Sequence, residues 1–308
     1  MRAFRQLFSR KGQNALLAAA LLATACTDVV DLDSTFEEAR PVVDAWLTDA
    51  AGAQTVFLSW SQDYYLEALP EPIVDADVLV CAREGQAGGL RCYSFTERPG
   101  RPGAYTWDPR GDERLGAVGD TFSLLAILPD DRQLVATSVM RRVPEIDSIS
   151  FQFEESQLGL DEGTYAQVYA RDLPGTGDRY LIRSTINDTL LNRPAEVNLA
   201  ADAAFDGGTA SDGIAFILPI RFGVNKLDDD GAPVPLAPGD RVAVEVWSLT
   251  EEAFRYLEQA VEQIENGESA LFSVPVVSTR GNVFDLDTGE PALGMFSASA
   301  VSAAADTF

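Results

Sequence analysis

From Pro41 onward, hydrophobic and polar residues alternate in short runs with a period of two, the pattern of half-buried strands. Val42-Val43-Asp44-Ala45-Trp46-Leu47 is one run and Thr55-Val56-Phe57-Leu58-Ser59-Trp60 the next. Further runs occupy residues 76–80, 90–95, 104–107, 121–127 and 134–138, with Gly and Pro in nearly every gap, where hairpin connections need them. Seven strands in about 100 residues is the size of an immunoglobulin-like or transthyretin-like sandwich. Val143-Pro144 marks the expected boundary, so residues 41–143 read as a β-sandwich domain.

Alternation resumes at Ile146-Asp147-Ser148-Ile149-Ser150-Phe151 and continues through residues 165–169, 180–185, 214–222 and 241–249. Residues 144–308 therefore read as a second β-rich domain. One segment breaks the pattern. Near residues 251–266 the apolar positions Phe254, Leu257, Val261 and Ile264 recur at helical spacing. Ser248 or Thr250 can cap this helix, Glu251 and Glu252 suit its positive first turn, and Asn266-Gly267 can close it. Its stripe is expected to pack on the second domain. The fold class is mainly β: two sandwich-like domains and one C-terminal amphipathic helix.

The start of the chain has a different character. Arg2, Arg5, Arg10 and Lys11 precede a pure Ala/Leu run over residues 15–23, and no acidic residue occurs before Cys26. The run is shorter than the roughly 20 residues a membrane-spanning helix needs, and it reads as an export signal over residues 1–25. Leu22-Ala23-Thr24-Ala25-Cys26 has the small residues that a lipoprotein signal peptidase requires before its cysteine, which makes Cys26 the expected site of lipidation. The alternative is ordinary cleavage near Ala25 beside an incidental cysteine. Several acyl chains, each adding about 0.8 kcal/mol per buried CH₂, would anchor the chain durably. Residues 26–40 are acidic and read as a tether, which could span roughly 45 Å if extended.

Cleavage would leave Cys81 and Cys92. A hairpin centred between Gln86 and Ala87 sets them directly opposite each other, and such non-hydrogen-bonded pairs lie close enough for a disulfide. An oxidising compartment favours that bond over two buried free thiols. Charge narrows the partners further. Once the four basic residues of the signal are removed, 48 acids face 19 Lys and Arg, a formal −29. Such a surface repels nucleic acid and anionic headgroups. Lys11 and Lys226 are the only lysines, a bias that fits either a saline environment or a GC-rich genome.

Histidine is absent from the chain, which removes Ser-His-Asp and Cys-His catalysis and every histidine-containing metal site. Neither a nucleophile elbow nor a phosphate-binding or dinucleotide loop is present, so an enzyme and a cofactor are not expected. Paired carboxylates could still hydrolyse glycosides, but among 48 acids such pairs arise by chance. Asp285, Asp287 and Glu290 have weak calcium-loop spacing, and Asp228-Asp229-Asp230 lacks alternate ligands; both read first as solvated turns. Of the aromatic residues, Trp60 follows Val56 and Leu58 on one strand face and belongs to a core. Tyr64 and Tyr65 lie in a loop and are the candidate contacts for a ligand or partner.

Several stretches resemble the Bacteroidota lipoproteins grouped as DUF4249, a family of unknown function. They are Pro41 through Thr48, Val143-Pro144-Glu145-Ile146-Asp147-Ser148-Ile149, Gly239 through Val246, Gly281-Asn282-Val283, and Ala292-Leu293-Gly294-Met295-Phe296-Ser297-Ala298-Ser299. Val274-Pro275 and Asp178-Arg179-Tyr180 depart from the family pattern. The resemblance implies an outer-membrane lipoprotein, exposed at the cell surface, encoded beside TonB-dependent transporters. It carries over no catalytic or binding residue. The expected function is an accessory or binding partner of such a transporter in nutrient uptake; a structural or adhesive envelope protein is the alternative, and a carboxylate-based glycoside hydrolase the third reading.

Overall fold

A computed structural model describes residues 39–308 apart from 64, 65, 67, 86, 87, 206, 209 and 268–278. The first seven strands are β1 (Pro41–Thr48), β2 (Gln54–Trp60), β3 (Asp77–Arg83), β4 (Leu90–Glu97), β5 (Ala104–Trp107), β6 (Thr121–Ile127) and β7 (Gln133–Val139). Most follow the expected alternation, whereas β5 is buried at Ala104, Tyr105 and Thr106 in succession. In β1, Val43, Ala45 and Leu47 are fully buried while Asp44 between them is exposed. Inward residues of these strands build one core around Leu58, Val80, Tyr93, Phe95, Phe122, Leu124 and Leu134. Trp60 is partly buried against that core, and the Arg132 guanidinium sits 4.9 Å from its ring centroid.

The second stretch supplies β8 (Ile146–Glu154), β9 (Gly163–Ala170), β10 (Arg179–Ile186), β11 (Thr189–Leu190), β12 (Asn198–Ala201) and β13 (Arg241–Ser248). After these come β14 (Val283–Asp285), β15 (Leu293–Ser299) and β16 (Val301–Thr307). Strands β11, β10, β13 and β16 form one sheet, with β12 also paired to β10, and β8 and β9 form a separate ribbon. Together they enclose a second core that includes Ile149, Val168, Tyr180, Ile182, Val242 and Val244.

Pairing does not respect the boundary at Val143-Pro144. The first sheet has nine strands in the order β14-β7-β6-β3-β4-β5-β2-β1-β15, so two strands from beyond residue 143 complete it. β15 lies parallel to β1, with Val42 opposite Leu293 and Thr48 opposite Ser299. Residues 283–285 and 293–299, expected with the second domain, thus pair into the first sheet. The physical reason is closure, because β14 and β15 cap opposite ends of the sheet and bring them together.

Asn282 makes that join. Its Nδ2 donates to the Phe296 carbonyl at 2.8 Å and to the Thr137 carbonyl at 2.9 Å, and its Oδ1 accepts the Phe296 N–H at 2.9 Å. A carboxamide carries the same donor and acceptor as a peptide unit, so this side chain stands in for a neighbouring strand. Ser138 Oγ accepts the Ala298 N–H across the same seam. Backbones are so close here that a Cβ on Gly294, at φ +91°, would lie 1.9 Å from the Val43 carbonyl oxygen. Asn225 fills the gap between two backbone bridges on the other edge of β9 in the same way, bonding both the N–H and the carbonyl of Ala166.

Among the described residues, two α-helices accompany the strands. Residues 214–222, expected to alternate as a strand, instead contain α1 (Leu218–Phe222). Pro219 sits in its first turn, where the missing N–H costs nothing, and Ile220 is buried in the second core. The expected amphipathic helix is α2 (Glu251–Gly267), capped by Thr250, whose Oγ1 accepts the Ala253 N–H at 3.2 Å. Its packing differs from expectation. Ala253 and Phe254 are buried with Ala201, Leu249 and Met295, against Trp46 of β1 as well as Leu181 of β10, so α2 rests on both sheets. Ile264, assigned to the buried stripe, is half exposed. Among the described residues, no helix is long and apolar enough to cross a membrane.

Candidate functional site

Loops at one end of β10 and β12, together with the first turns of α2, surround a cleft of about 440 Å³. Arg179, Asp202, Phe205, Phe254, Arg255 and Glu258 are among its lining residues. β10 begins at Arg179, whose guanidinium stacks 5.7 Å from the Phe254 ring centroid and lies 3.8 Å from Glu251. Arg255, one turn along α2, bonds the same carboxylate at 2.8 Å and holds it below the usual carboxylate range. Phe205 is half exposed at the mouth. The rim thus offers two guanidiniums, each already shared with Glu251, beside two aromatic rings.

Behind the cleft, one carboxylate oxygen from each of Asp172, Asp178 and Asp202 lies within 4.8 Å of the other two. Asp172 and Asp202 are almost fully buried. Donors from the protein reach all three. Tyr180 Oη donates to Asp172 at 2.7 Å and the Gly213 N–H to its other oxygen at 3.0 Å. The Gly177 and Asp178 N–H groups donate to Asp202, and Arg142 bonds both oxygens of Asp178. Burial pushes the Asp172 carboxyl above its ordinary value; the Tyr180 hydroxyl and the Gly213 amide pull it partly back. Burial and the adjacent Asp172 together push the Tyr180 phenol strongly up. Three carboxylates fall short of the six to eight oxygens calcium takes, and their donors make this a clamp that fixes the turn before β10.

The residues singled out from sequence do not converge here. Cys26, the signal over 1–25, most of the tether over 26–40, Tyr64 and Tyr65 all lie outside the described residues. Arg40, the last tether residue, is already held, its N–H bonding Ser61 Oγ and its side chain the Pro291 carbonyl. Cys81 and Cys92 are joined by a disulfide and stand opposite each other in the β3–β4 register. Asp285 spends Oδ1 on the Asp287 and Thr288 amides, which hold its carboxyl below the ordinary value. Its neighbours Asp287 and Glu290 are exposed on the same turn. Asp228 Oδ1 likewise accepts the Asp230 and Ala232 amides. The cleft and the aspartate clamp went unread in the sequence, because residues 172, 178 and 202 share no spacing and meet only when β10 pairs with β12.

Comparison with known proteins adds a family but no activity. The model of a domain of unknown function, DUF4249, matches residues 27–304. No curated protein matches the chain. Among solved structures it is similar to the chicken CNTN1 FN1–FN3 domains, with 12% identity over 70% of this chain and 61% of that chain. The TM-score is 0.21, and the likeness carries no argument.

Proposed function

Because the chain belongs to DUF4249, a family of unknown function, we propose that it is an outer-membrane lipoprotein acting as a non-enzymatic partner of a TonB-dependent transporter in nutrient uptake. The observation that carries this reading is Cys26, placed directly after a basic segment, an Ala/Leu run and small residues, ahead of a folded β region. Lipidation there holds the protein at a membrane without any spanning segment. The transporter enters through the resemblance to surface lipoproteins encoded beside such channels. The cleft supports binding over turnover: its rim joins guanidiniums, carboxylates and aromatic rings, and the chain has no histidine to serve as a base. On the fold, we read the nine-stranded sheet as a sandwich of immunoglobulin or transthyretin type, and the second set of strands as a smaller β layer joined to it through α2.

Cys26→Ser tests the anchor. The variant is expected in the soluble fraction after a high-salt wash of the membranes. Retention in the membrane fraction would show that another segment holds the protein there.

A further inference from the structure

β4 changes neighbours along its length. From Leu90 to Phe95 it pairs with β3, whereas only Thr96 and Glu97 pair with β5. Which backbone groups face which side follows from the register. The Glu84 N–H bonds the Gly89 carbonyl, so hydrogen-bonded pairs between β3 and β4 recur at Arg91, Tyr93 and Phe95. The N–H and carbonyl groups of Cys92 and Ser94 therefore point away from β3, towards the side where β5 would continue. If β5 ran on, Asp108 would meet Ser94 and Arg110 would meet Cys92. It ends at Trp107 instead, just before Pro109, which has no N–H to give the sheet. Among the described residues, these four backbone groups meet no partner.

The edge is a groove, not a bare rim. A depression of about 610 Å³ beside it is lined by Cys92, Ser94, Thr106, Trp107 and Arg110. The Tyr93 and Trp107 rings pack edge-on at 4.8 Å beside it. A second depression shares Ser94 and Thr96 and adds Asp75, Asp77 and Glu97, with no basic residue. Asp108 and Glu113 offset Arg91 and Arg110 in the first, so the two together carry an excess of negative charge. The Cys81–Cys92 disulfide ties β4 to β3 on the outer face of the hairpin, so the edge is ordered before anything binds. Elsewhere the fold closes strand edges with side-chain amides, Asn282 on β15 and Asn225 on β9.

We propose that the open edge of β4 at Cys92 and Ser94 accepts an extended, positively charged peptide segment of another protein, which adds to the sheet as a further strand. Unpaired donors and acceptors at every second residue match an extended backbone, which is how peptides augment exposed sheet edges. Like charge argues against a second copy as the occupant, since the chain carries a formal −25. The inference does not depend on the identity of the membrane partner, and its failure would leave the lipid anchor untouched.

The test uses the full chain in detergent with a ten-residue peptide of alternating Lys and Thr, its Glu–Thr counterpart, and the Lys–Thr peptide N-methylated at alternate residues. Residue-resolved hydrogen exchange is expected to slow by about tenfold or more at the Cys92 and Ser94 amides with the Lys–Thr peptide alone. Ser94→Pro, which removes one groove-facing N–H that β3 does not use, should abolish binding, while Ser94→Ala should retain it. Unchanged exchange at Cys92 and Ser94, protection confined to another surface, or equal binding of the Glu–Thr or methylated peptide would each overturn the proposal. The exchange measurement on the unsubstituted chain decides the matter even if Ser94→Pro does not fold.

Discussion

Asn282 and Asp172 show how single side chains do the work of whole elements. Asn282 stands where two sheet ends meet and answers both backbone groups of Phe296. Replacing it with Ala leaves those groups and the Thr137 carbonyl without partners, so unfolding in urea is expected to show a loss of about 2–4 kcal/mol. A loss below about 0.5 kcal/mol would mean that the seam holds without the amide. Asp172 governs a pH response. Its folded pKa lies above its ordinary value, so the folded state binds this proton more tightly than the unfolded chain does. The stability it contributes is present at low pH and is lost as pH rises from about 3.9 through the folded value. Asp172→Asn should remove that slope. The unfolding free energy of the wild type relative to the variant is expected to fall across this window and then level off; parallel curves would contradict the assignment.

At the scale of elements, the β3–β4 hairpin was the most legible feature. Turn residues between two alternating runs set its register, and the register alone put Cys81 against Cys92. The cross-link closes a loop of about a dozen residues, so replacing both cysteines with Ala should cost no more than about 3 kcal/mol. Thermal unfolding with and without reductant checks this, and an unchanged midpoint would show that the bond adds nothing. Other elements were not legible for physical reasons. β16 reads Val301-Ser302-Ala303-Ala304-Ala305-Asp306-Thr307, poor in the branched and aromatic residues that favour strands, and it extends only because β13 offers a full edge. Residues 214–222 alternate like a strand, yet Pro219 and the burial of Ile220 make a helix of their second half. Ile264 keeps helical spacing with Phe254, but it lies beyond the part of α2 that rests on the sheets.

For the molecule as a whole, local pattern specified the strands but not how distant ones combine. Nothing near residue 293 announces a parallel partner 250 residues away at β1, although two stretches carrying the family resemblance, Gly281-Asn282-Val283 and Ala292 through Ser299, turn out to be the two halves of the closing seam. Their role in the fold is structural, which explains why they pointed to a family and not to a reaction. The cleft beside α2 and the aspartate clamp were equally hidden, since both are assembled from loops brought together by β10 and β12. What remains is a β protein with an expected acyl anchor, a strongly acidic composition and a cleft lined by charged and aromatic side chains. Crosslinking in intact cells, followed by purification of the lipoprotein and mass spectrometry, tests that reading most directly. A TonB-dependent transporter recovered with the wild-type chain, and lost with Cys26→Ser, is the predicted result; recovery of the lipoprotein alone, with nutrient uptake unchanged in a deletion strain, would contradict it.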